Sequence, residues 1–462
     1  MSLKMSEATV LVLFILVFVI QLAEMDQSEP DVMVSSASAS INVKHLGAKG
    51  DGKTNDTWAV QKALQLASSG GWTVFFPKGT YLIDPSKEFI VPGNTTLAGE
   101  GRRSVIKASS AAFGWELMRA AGSDITINHL SLDGNNHVNR VLVVGGGCER
   151  VTLSNLVVAN ASQSRDPGSD GYGEVVCGIV VYGDTKQIAI SAVEVKNIVA
   201  VNVSNGSMIA RGIYITTTWG SQESVAKQVS ITGSYVHHVG PADDGDGIYF
   251  EDPGMDSGNG QHADSFIANN VMDHVAKRAV KIYAEGITVR DNHIINSYLN
   301  NNVYQGVNKG MLAPDMFSAI SVYGSSNTVD RNTIDGIGSY YAAIEISAGQ
   351  TIGHIRIARN KITMGSKSNI KGTTAIRLGN INDFTISGNT IQNGERGIWT
   401  WQNASQGLIS GNSIVVINGG GIDISTYLNG CVQRDIRIEN NTITAGTFDI
   451  QLAPTNINVI VV

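Results

Sequence analysis

The sequence predicts an all-β protein, a single-stranded right-handed parallel β-helix with an N-terminal capping helix, and three observations lead to this fold class. A short alternating strand followed by Asn recurs along the chain. A second strand, which begins with a small residue, recurs between its copies, and the chain holds 51 glycines against 9 prolines. Short repeating units of this kind bury their apolar faces only by stacking on one another, so one long domain is expected.

The first repeat has the form I-x-I, two further residues, Asn and an apolar residue. Period-two alternation is typical of strands with one buried face. The apolar positions predicted to be buried include Ile287, Val289, Ile355, Ile357, Ile386, Ile436 and Ile438. Asn tolerates left-handed backbone and can hydrogen-bond to its own type in the next coil. The predicted ladder consists of Asn270, Asn292, Asn332, Asn360, Asn389, Asn412 and Asn441.

The second repeat begins with Gly or Ala and continues with alternating apolar residues. Its copies start at Gly178, Gly212, Gly247, Ala279, Ala319, Ala343, Ala375, Gly397 and Gly421. They return roughly every 22 to 40 residues, which is the length of one β-helix coil with its loops. The period-two strands exclude a helical solenoid, and the lack of tight Asn-Gly or Asp-Gly hairpins argues against a β-propeller.

The amino-terminal part of the fold carries a motif of its own. Residues 41–83 read INVKHLGAKGDGKTNDTWAVQKALQLASSGGWTVFFPKGTYLI, and TTLAGEG follows at 95–101. This segment resembles the opening of the rhamnogalacturonase and epimerase-type β-helices of the pectate-lyase-like superfamily, which includes polygalacturonases, phage tailspikes and mannuronan epimerases. The resemblance implies a β-helix domain over 41–462. Residues 55–57 are predicted to cap an amphipathic helix, Trp58 to Ala67, that covers the first coil.

Composition restricts the partners. The formal net charge is −7 and no basic run stands out, which argues against nucleic acid as a partner, because its phosphates are bound through Lys and Arg. An anionic polymer would require a locally basic site. The three cysteines, Cys148, Cys177 and Cys431, lack the spacing of a zinc site or a disulfide framework.

The first 40 residues are predicted to precede the fold. Val10 to Ile20 form an apolar run that is too short to span a bilayer comfortably. We interpret this run as a signal peptide or anchor, followed by a flexible Ser/Ala linker at residues 35–40. The segment predicts a secreted or extracellular protein without a stable membrane span.

Alternation within the second repeat directs successive side chains outward, where like positions of neighbouring coils stack about 5 Å apart. The outward positions mix aromatic rings with carboxylates and cations. Aromatic faces stack on sugar rings and polar groups bind hydroxyls, so a polysaccharide is the predicted partner. The candidate substrate-binding residues are Tyr214, Tyr249, His262, Tyr323, Glu345, Arg377, Trp399 and Trp401.

Carboxylates are densest at residues 243–256. Hydrolysis of a glycosidic bond needs one protonated and one ionised carboxyl, a state that crowded carboxylates reach by raising each other's pKa. The order of Asp pair, His, Arg and Lys is similar to that in polygalacturonases, which implies a glycoside hydrolase. The candidate catalytic residues are Glu251 as first choice, Asp243, Asp244 and Asp246 as partner carboxyls, and Arg278, Lys281 and Tyr283.

Other functions stay open on the same residues. A polysaccharide lyase or C5-epimerase would use Lys281, Arg278 or Tyr283 to move the proton beside a uronate carboxylate. A non-catalytic adhesin or tail fibre would need only the aromatic groove. The carboxylates could bind Ca²⁺ or form a turn; no other metal or cofactor is predicted. Likeness to tailspikes would imply a trimer.

Overall fold

The computed structural model describes residues 40–202, 208–240, 242, 244–295, 318–337, 342–346, 349–365 and 373–462. Within them the chain winds as a parallel β-helix in which three strands make one coil. Asp244–Glu251, His262–Ala268 and Val271–Val275 follow one another, and Arg278–Tyr283 then pairs in parallel with Asp244–Glu251. The predicted all-β parallel β-helix is thereby confirmed.

One face of the β-helix, which we call the site sheet, contains 13 described strands in sequential parallel order. Nine of these strands, from Val176–Val181 to Gly420–Ile424, carry the second repeat. The thirteen strands are Ile90–Pro92, Gly114–Ala121, Val138–Val144, Val176–Val181, Ile209–Ile215, Asp244–Glu251, Arg278–Tyr283, Ser318–Val322, Ala342–Ile346, Thr374–Leu378, Arg396–Thr400, Gly420–Ile424 and Phe448–Leu452.

The other two faces share a sheet of 27 described strands, because two long bent strands belong to both faces. The second face contains Ser40–Asn42, Trp72–Phe76, Thr95–Gly99, Ile125–Asp133, Glu149–Ser162, Lys186–Ser191, Lys227–Thr232, His262–Ala268, Glu285–Arg290, Thr328–Asp330, Ile352–Ala358, Ile381–Ser387, Ala404–Ser410, Gln433–Glu439 and Ile457–Val461. The third face contains Asp51–Asn55, Gly79–Ile83, Ser104–Ala108, the two shared strands Ile125–Asp133 and Glu149–Ser162, Glu194–Val199, Tyr235–Val239, Val271–Val275, His293–Ile295, Thr333–Ile337, Lys361–Met364, Thr390–Gln392, Ser413–Val416 and Thr442–Ala445.

The predicted Asn ladder is confirmed between the second and third faces. The Asn292 Oδ1 atom accepts hydrogens from both the backbone N–H and the side-chain amide of Asn270, each at 3.0 Å. The same two bonds recur at every step through Asn332, Asn360, Asn389, Asn412 and Asn441. Each ladder amide also donates to a backbone carbonyl of the preceding coil. Buried polar groups that are fully paired in this way cost little and fix the coil register.

The small residue at the start of each site-sheet strand has a steric cause. A Cβ atom added at Gly247 would lie 2.6 Å from the carbonyl oxygen of Ala279 in the next coil, and one at Gly212 would lie 2.5 Å from that of Gly247. Any side chain at these two glycines would therefore contact the backbone of the next coil. Other coils accommodate the Cβ atom of Ala at the equivalent place, at Ala279, Ala319, Ala343 and Ala375.

An α-helix, Thr57–Ala67, lies beside the first strands and buries Ala59, Val60, Ala63 and Leu64 against them. Asn55 Oδ1 accepts the Thr57 N–H at 2.9 Å. The side chain of the N-cap residue, Asp56, instead accepts the backbone N–H groups of Lys49 and Gly50 and so ties the preceding loop to the helix. The predicted helix is present, and its role as a lid on the first coil stays a prediction.

The predicted signal peptide and most of its linker lie outside the described residues. Among the described residues, no helix is both long and apolar enough to cross a lipid bilayer.

We predict that Ile357→Ala lowers the free energy of unfolding by about 2–5 kcal/mol, because a fully buried aliphatic side chain leaves a cavity in the stack. Ile357 has no exposed surface and lies one strand away from both Val329 and Ile386. Denaturant unfolding measures the change. Arg356→Ala, at the exposed neighbouring position of the same strand, is the control and should change stability by less than about 0.5 kcal/mol. Equal effects of the two variants would contradict the assigned inward face.

Candidate functional site

The outward side chains of the site sheet form columns that run along the β-helix axis. Residue-by-residue strand pairing places one outward column in register, in the order Val180, Tyr214, Tyr249, Lys281, Ser321, Glu345, Arg377, Trp399 and Asp423. Glu251 and Tyr283 pair in the neighbouring column. Most predicted site residues therefore share one face.

Sequence reasoning missed a third column. Arg211, Asp246, Arg278 and Ser318 are paired in register, and each directly precedes the small residue of its repeat. The residue before the small residue of each repeat could therefore have been recognised from the sequence as an outward position. The third column adds Arg211 to the site and shows that Asp246 and Arg278 occupy equivalent places in successive coils.

Arg278 joins two of the predicted carboxylates. Its Nη1 atom lies 2.8 Å from Asp244 Oδ1 and 2.8 Å from Asp246 Oδ1. The Arg211 guanidinium approaches the other oxygens of both carboxylates, at 3.7 and 3.8 Å. Burial opposes the ionisation of Asp244, but Arg278, Lys281 and Lys277 outweigh it and hold the pKa of Asp244 well below its ordinary value. Crowding was expected to raise the carboxyl pKa values, and for Asp244 the cations reverse that expectation. Asp243 lies outside the described residues.

Glu251 is held by three hydroxyl groups. Its Oε1 atom accepts from the Tyr249 hydroxyl at 2.8 Å, and its Oε2 atom accepts from Thr216 at 2.7 Å and from the Tyr214 hydroxyl. These bonds let Glu251 orient the two tyrosines, whose stacked rings have centres 5.3 Å apart.

Two cations lie on the faces of these rings. The Arg211 guanidinium is 4.0 Å from the Tyr214 ring centre, and Lys281 Nζ is 4.1 Å from that of Tyr249. Lys281 Nζ is also 3.9 Å from Asp244 Oδ2. Burial lowers the pKa of Lys281, although Asp246 and Asp244 oppose the shift. Burial, together with the Glu251 carboxylate, raises the pKa values of Tyr214 and Tyr249, so both phenols stay protonated.

Tyr283 and His262 differ in their placement. The Tyr283 hydroxyl donates to Asp256 in the loop that follows Asp244–Glu251, and burial together with this bond raises the pKa of Tyr283 to about 12.

His262 begins a strand of the second face, where it contacts Asp264 at 2.7 Å. The expectation that His262 contributes to the groove is therefore corrected, because the chain has left the site sheet before it reaches this residue.

The described carboxylates of this region have protein partners. Besides the ion pairs and hydroxyl bonds of Asp244, Asp246 and Glu251, the Asp252 side chain accepts the N–H groups of Gly254 and Gln261 and so holds the loop. Across the described part of the chain, no three His, Cys, Asp or Glu side chains come together as a metal site. Ca²⁺ binding by the cluster that includes Asp243 stays a prediction.

Towards the carboxyl-terminal coils, Tyr323, Glu345 and Arg377 lead to an aromatic cluster. Burial raises the pKa of Glu345, against the effect of Arg377 at 3.5 Å. Burial, together with the carboxylate of Glu345, raises the pKa of Tyr323 to about 12. Trp401 and Tyr427 lie 6.2 Å apart between ring centres, and Tyr427 is 69% exposed. Sequence reasoning missed Tyr427 because it lies in a loop outside the repeat.

Comparison with known proteins identifies the architecture along the whole described fold. The model of the family described as rhamnogalacturonase A/epimerase, pectate lyase-like matches residues 40–312, and that of the right-handed β-helix region matches residues 318–462. The first match covers more than half of the chain.

Curated relatives match shorter stretches. An uncharacterised SPbeta prophage-derived protein, YomE, of Bacillus subtilis is 29% identical over 182 residues, which are 36% of this chain and 26% of YomE. Alginate lyase 7 of Azotobacter vinelandii is 38% identical over 110 residues, 20% of this chain and 12% of the lyase. The chain thus spans about a quarter or less of these relatives.

Among solved structures, the surface adhesin PfbA of Streptococcus pneumoniae superposes with a TM-score of 0.63 at 17% identity. The match covers 84% of this chain and 94% of the adhesin. At this identity the likeness concerns the fold.

The two neighbouring tryptophans are predicted to differ in their contribution to stability. The sequence predicts exposed rings for both, but Trp399 is 7% exposed and its indole N–H donates to the Ser425 carbonyl at 3.0 Å. Trp399→Ala should lower the free energy of unfolding by about 3 kcal/mol, in the range of buried aromatic truncations. Trp401→Ala should have a smaller effect because Trp401 is only half-buried. Thermal unfolding compares them; an equal loss would contradict the different burial of the two rings.

Proposed function

Because the chain belongs to the rhamnogalacturonase A/epimerase, pectate lyase-like family, we propose that it is an enzyme that cleaves an acidic, uronate-containing polysaccharide by β-elimination. The observation that carries the proposal is one strand that presents Lys281 and Tyr283 on the same outward face. Burial lowers the pKa of Lys281, and burial with the Asp256 hydrogen bond raises that of Tyr283 to about 12. This pair offers a proton acceptor and a proton donor about 7 Å apart along the strand.

The surrounding charge supports an anionic substrate. Arg211, Lys277, Arg278 and Lys281 surround Asp244, although the chain as a whole carries a formal charge of −7. A cluster of cations on an otherwise acidic protein attracts an anionic polymer to one place. Asp244 and Asp246 balance part of this positive charge, and the cations around them are the groups that would meet a uronate carboxylate.

The reaction can be written with these groups. Neutral Lys281 takes the proton from the carbon that bears the uronate carboxylate. The electron pair of that C–H bond forms a double bond to the adjacent ring carbon, whose bond to the glycosidic oxygen breaks, and Tyr283 donates its proton to this oxygen. Lys281 ends as an ammonium ion 3.9 Å from Asp244, which stabilises it. Both groups return to their starting states by proton exchange with solvent.

The relatives support the same substrate class. Alginate lyase 7 and the mannuronan C5-epimerases, which match this chain over about a fifth of its length, are named for action on uronate polymers. The proposal extends this substrate class to the present chain.

Hydrolysis is the second candidate, and Glu345 favours it. Burial raises the pKa of this carboxyl, whereas the cations lower that of Asp244. A protonated carboxyl of this kind can act as the acid of a glycosidase. Asp244 is not its partner, because the two lie three strands apart, at least about 14 Å, and glycosidase carboxyls are about 5 to 9.5 Å apart. Glu251, the first choice from the sequence, is engaged by three hydroxyls and fits a positioning role better than that of an acid.

Incubation with polygalacturonate, alginate and a neutral glucan tests the proposal. Elimination leaves a conjugated double bond, so ultraviolet absorbance and the concentration of reducing ends should rise together on one of the uronate polymers. With the neutral glucan, neither quantity should rise. An increase in reducing ends without ultraviolet absorbance would show hydrolysis and contradict β-elimination. Neither signal on any uronate polymer, with binding retained, would indicate a non-catalytic binder.

We predict that Lys281→Met and Tyr283→Phe each reduce kcat by about 10²- to 10⁴-fold, because each removes a proton-transferring group. Lys361→Met and Tyr235→Phe are matched controls on the third face. Lys361 is exposed, and the Tyr235 hydroxyl contacts Asp273 much as Tyr283 contacts Asp256. The controls should keep full activity. Unchanged kcat in either site variant would exclude its assigned role.

The pH dependence follows from the base. Lys281 must be neutral to accept a proton, so kcat should rise with pH and level off above the pKa of Lys281, which lies below the ordinary lysine value of 10.5. The initial rate between pH 6 and pH 10 measures this profile. Lys281→Arg, whose side chain stays protonated, should abolish the rising limb together with the activity. Activity that falls with rising pH would instead point to a protonated carboxyl such as Glu345.

A further inference from the structure

We infer that Trp219 stacks on a sugar ring of the polysaccharide substrate and thereby extends the binding site beyond the outward columns of the site sheet. This inference rests on the proposed function, because it assigns Trp219 to the same acidic polymer. It adds a binding residue that lies in a loop outside the repeat and takes no part in proton transfer.

Trp219 is the most exposed large apolar side chain of the described residues, with 100% of its surface accessible. Tryptophan is highly buried on average in folded proteins. The indole of Trp219 is instead open on both faces, and either face can pack on the C–H groups of a sugar ring. Isolated exposed apolar side chains are common on protein surfaces; the support and the position of Trp219 distinguish it from them.

A braced turn holds this ring. Trp219 and Gly220 are the central residues of a turn that the Ser221 N–H closes by donating to the Thr218 carbonyl at 2.9 Å. Gly220 has a φ of +74°, in the left-handed region that suits glycine in a turn. The Glu223 carboxylate accepts the Thr218 N–H at 2.6 Å and the Thr218 hydroxyl at 3.1 Å. Glu223 therefore closes the loop across the base of the turn.

The loop also lies against preceding coils, where two glycines leave room for it. A Cβ atom at Gly183 would lie 2.5 Å from the Ser224 carbonyl oxygen, and one at Gly146 would lie 2.6 Å from Glu223 Oε1. The Ser224 N–H donates to Asp184 Oδ1 at 2.9 Å, and the Asp184 N–H donates to the Ser224 carbonyl at 2.8 Å. Because these contacts hold the backbone in advance, a bound ligand has little of it left to order.

The start of the loop is part of the proposed site. The Thr216 hydroxyl donates to Glu251 Oε2 at 2.7 Å, and Glu251 also accepts from the Tyr249 hydroxyl. Trp219 follows Thr216 by three residues, so their Cα atoms are at most about 11 Å apart. A single oligosaccharide can span this distance and contact both the indole and the outward columns.

The end of the loop joins the segment that positions the proposed proton donor. The Gln261 side-chain amide donates to the Ser224 hydroxyl at 3.2 Å. Gln261 belongs to the loop between Glu251 and the next strand, and this loop also carries Asp256, the partner of Tyr283. The loop of Trp219 and the loop of Asp256 therefore lie side by side, next to the reacting groups.

Steady-state kinetics provides the first test. Trp219→Ala should raise KM for the cleaved uronate polymer about 3- to 10-fold and leave kcat unchanged, because it removes a contact that binds substrate and transition state alike. Trp219→Phe keeps an aromatic face and should recover most of the affinity. The melting temperature should not change, since the ring is fully exposed. An unchanged KM, or a lower kcat at unchanged KM, would overturn the inference.

Binding to the Lys281→Met protein provides a second test that needs no turnover. Oligogalacturonate and oligomannuronate of six sugars are the probes in titration calorimetry. Addition of Trp219→Ala should raise the Kd of the bound probe about 3- to 10-fold. An unchanged Kd would overturn the inference. If neither probe bound the Lys281→Met protein, the inference would fail together with the proposed substrate class.

Two further variants separate binding by the ring from general effects. Glu223→Ala should raise KM about 3-fold with Trp219 intact, because the turn then has to be ordered on binding, and Glu223→Gln should restore most of the affinity through its remaining carbonyl oxygen. Trp58→Ala removes a largely exposed ring from the α-helix beside the first strands and should change neither KM nor Kd. An equal effect of Trp58→Ala and Trp219→Ala would contradict the assignment.

The tests distinguish this inference from the proposed reaction. Products without ultraviolet absorbance would replace β-elimination by hydrolysis, whereas the loss of affinity in Trp219→Ala would remain. Self-association that Trp219→Ala abolishes, with unchanged affinity for the sugar probes, would instead make the ring a contact between two copies of the chain and would overturn the inference. Sedimentation at several protein concentrations measures that association.

Discussion

The stacking of one coil on the next is the constraint on which the structure depends, and the buried Asn ladder shows how it is met. Each ladder Asn from Asn292 to Asn412 accepts two hydrogen bonds from the preceding coil through its side-chain oxygen, and its backbone N–H and side-chain amide donate to the Asn of the next coil. No step can therefore slip without breaking several buried hydrogen bonds. The apolar interior sets the energy of the stack, and the ladder sets its register.

Register then determines which side chains meet outside. Arg278 contacts Asp244 and Asp246 because it occupies, one coil later, the position that Asp246 has in its own coil. Glu251 likewise accepts from Tyr214, one coil earlier, and from Tyr249 in its own strand. The polar cluster is thus a product of the same stacking that buries the isoleucines, and its charges compensate one another across coils.

The sequence predicts the features that depend on the period of the repeat and on the register of the strands. It predicts fewer of the contacts that depend on side-chain conformation. The β-helix, the Asn ladder and the shared face of Tyr249, Lys281 and Glu345 follow from alternation. The low pKa of Asp244 does not, because it depends on arginine side chains from two neighbouring coils. Likewise, Trp399 has an outward position but is covered by Tyr427 and Arg396, and loop residues outside the repeat carry no periodic signal.

The regular advance of the coils has a consequence for how such a groove can change. Each coil lengthens the outer face by about 4.8 Å, close to the length of one sugar unit, while the coils on either side keep their own contacts. Gain or loss of a single coil between Lys281 and Trp399 would therefore move the aromatic cluster of Trp401 and Tyr427 by about the length of one sugar unit. The groups around Arg278 would keep their contacts. The distance between two groups on the outer face can therefore change in steps of one coil.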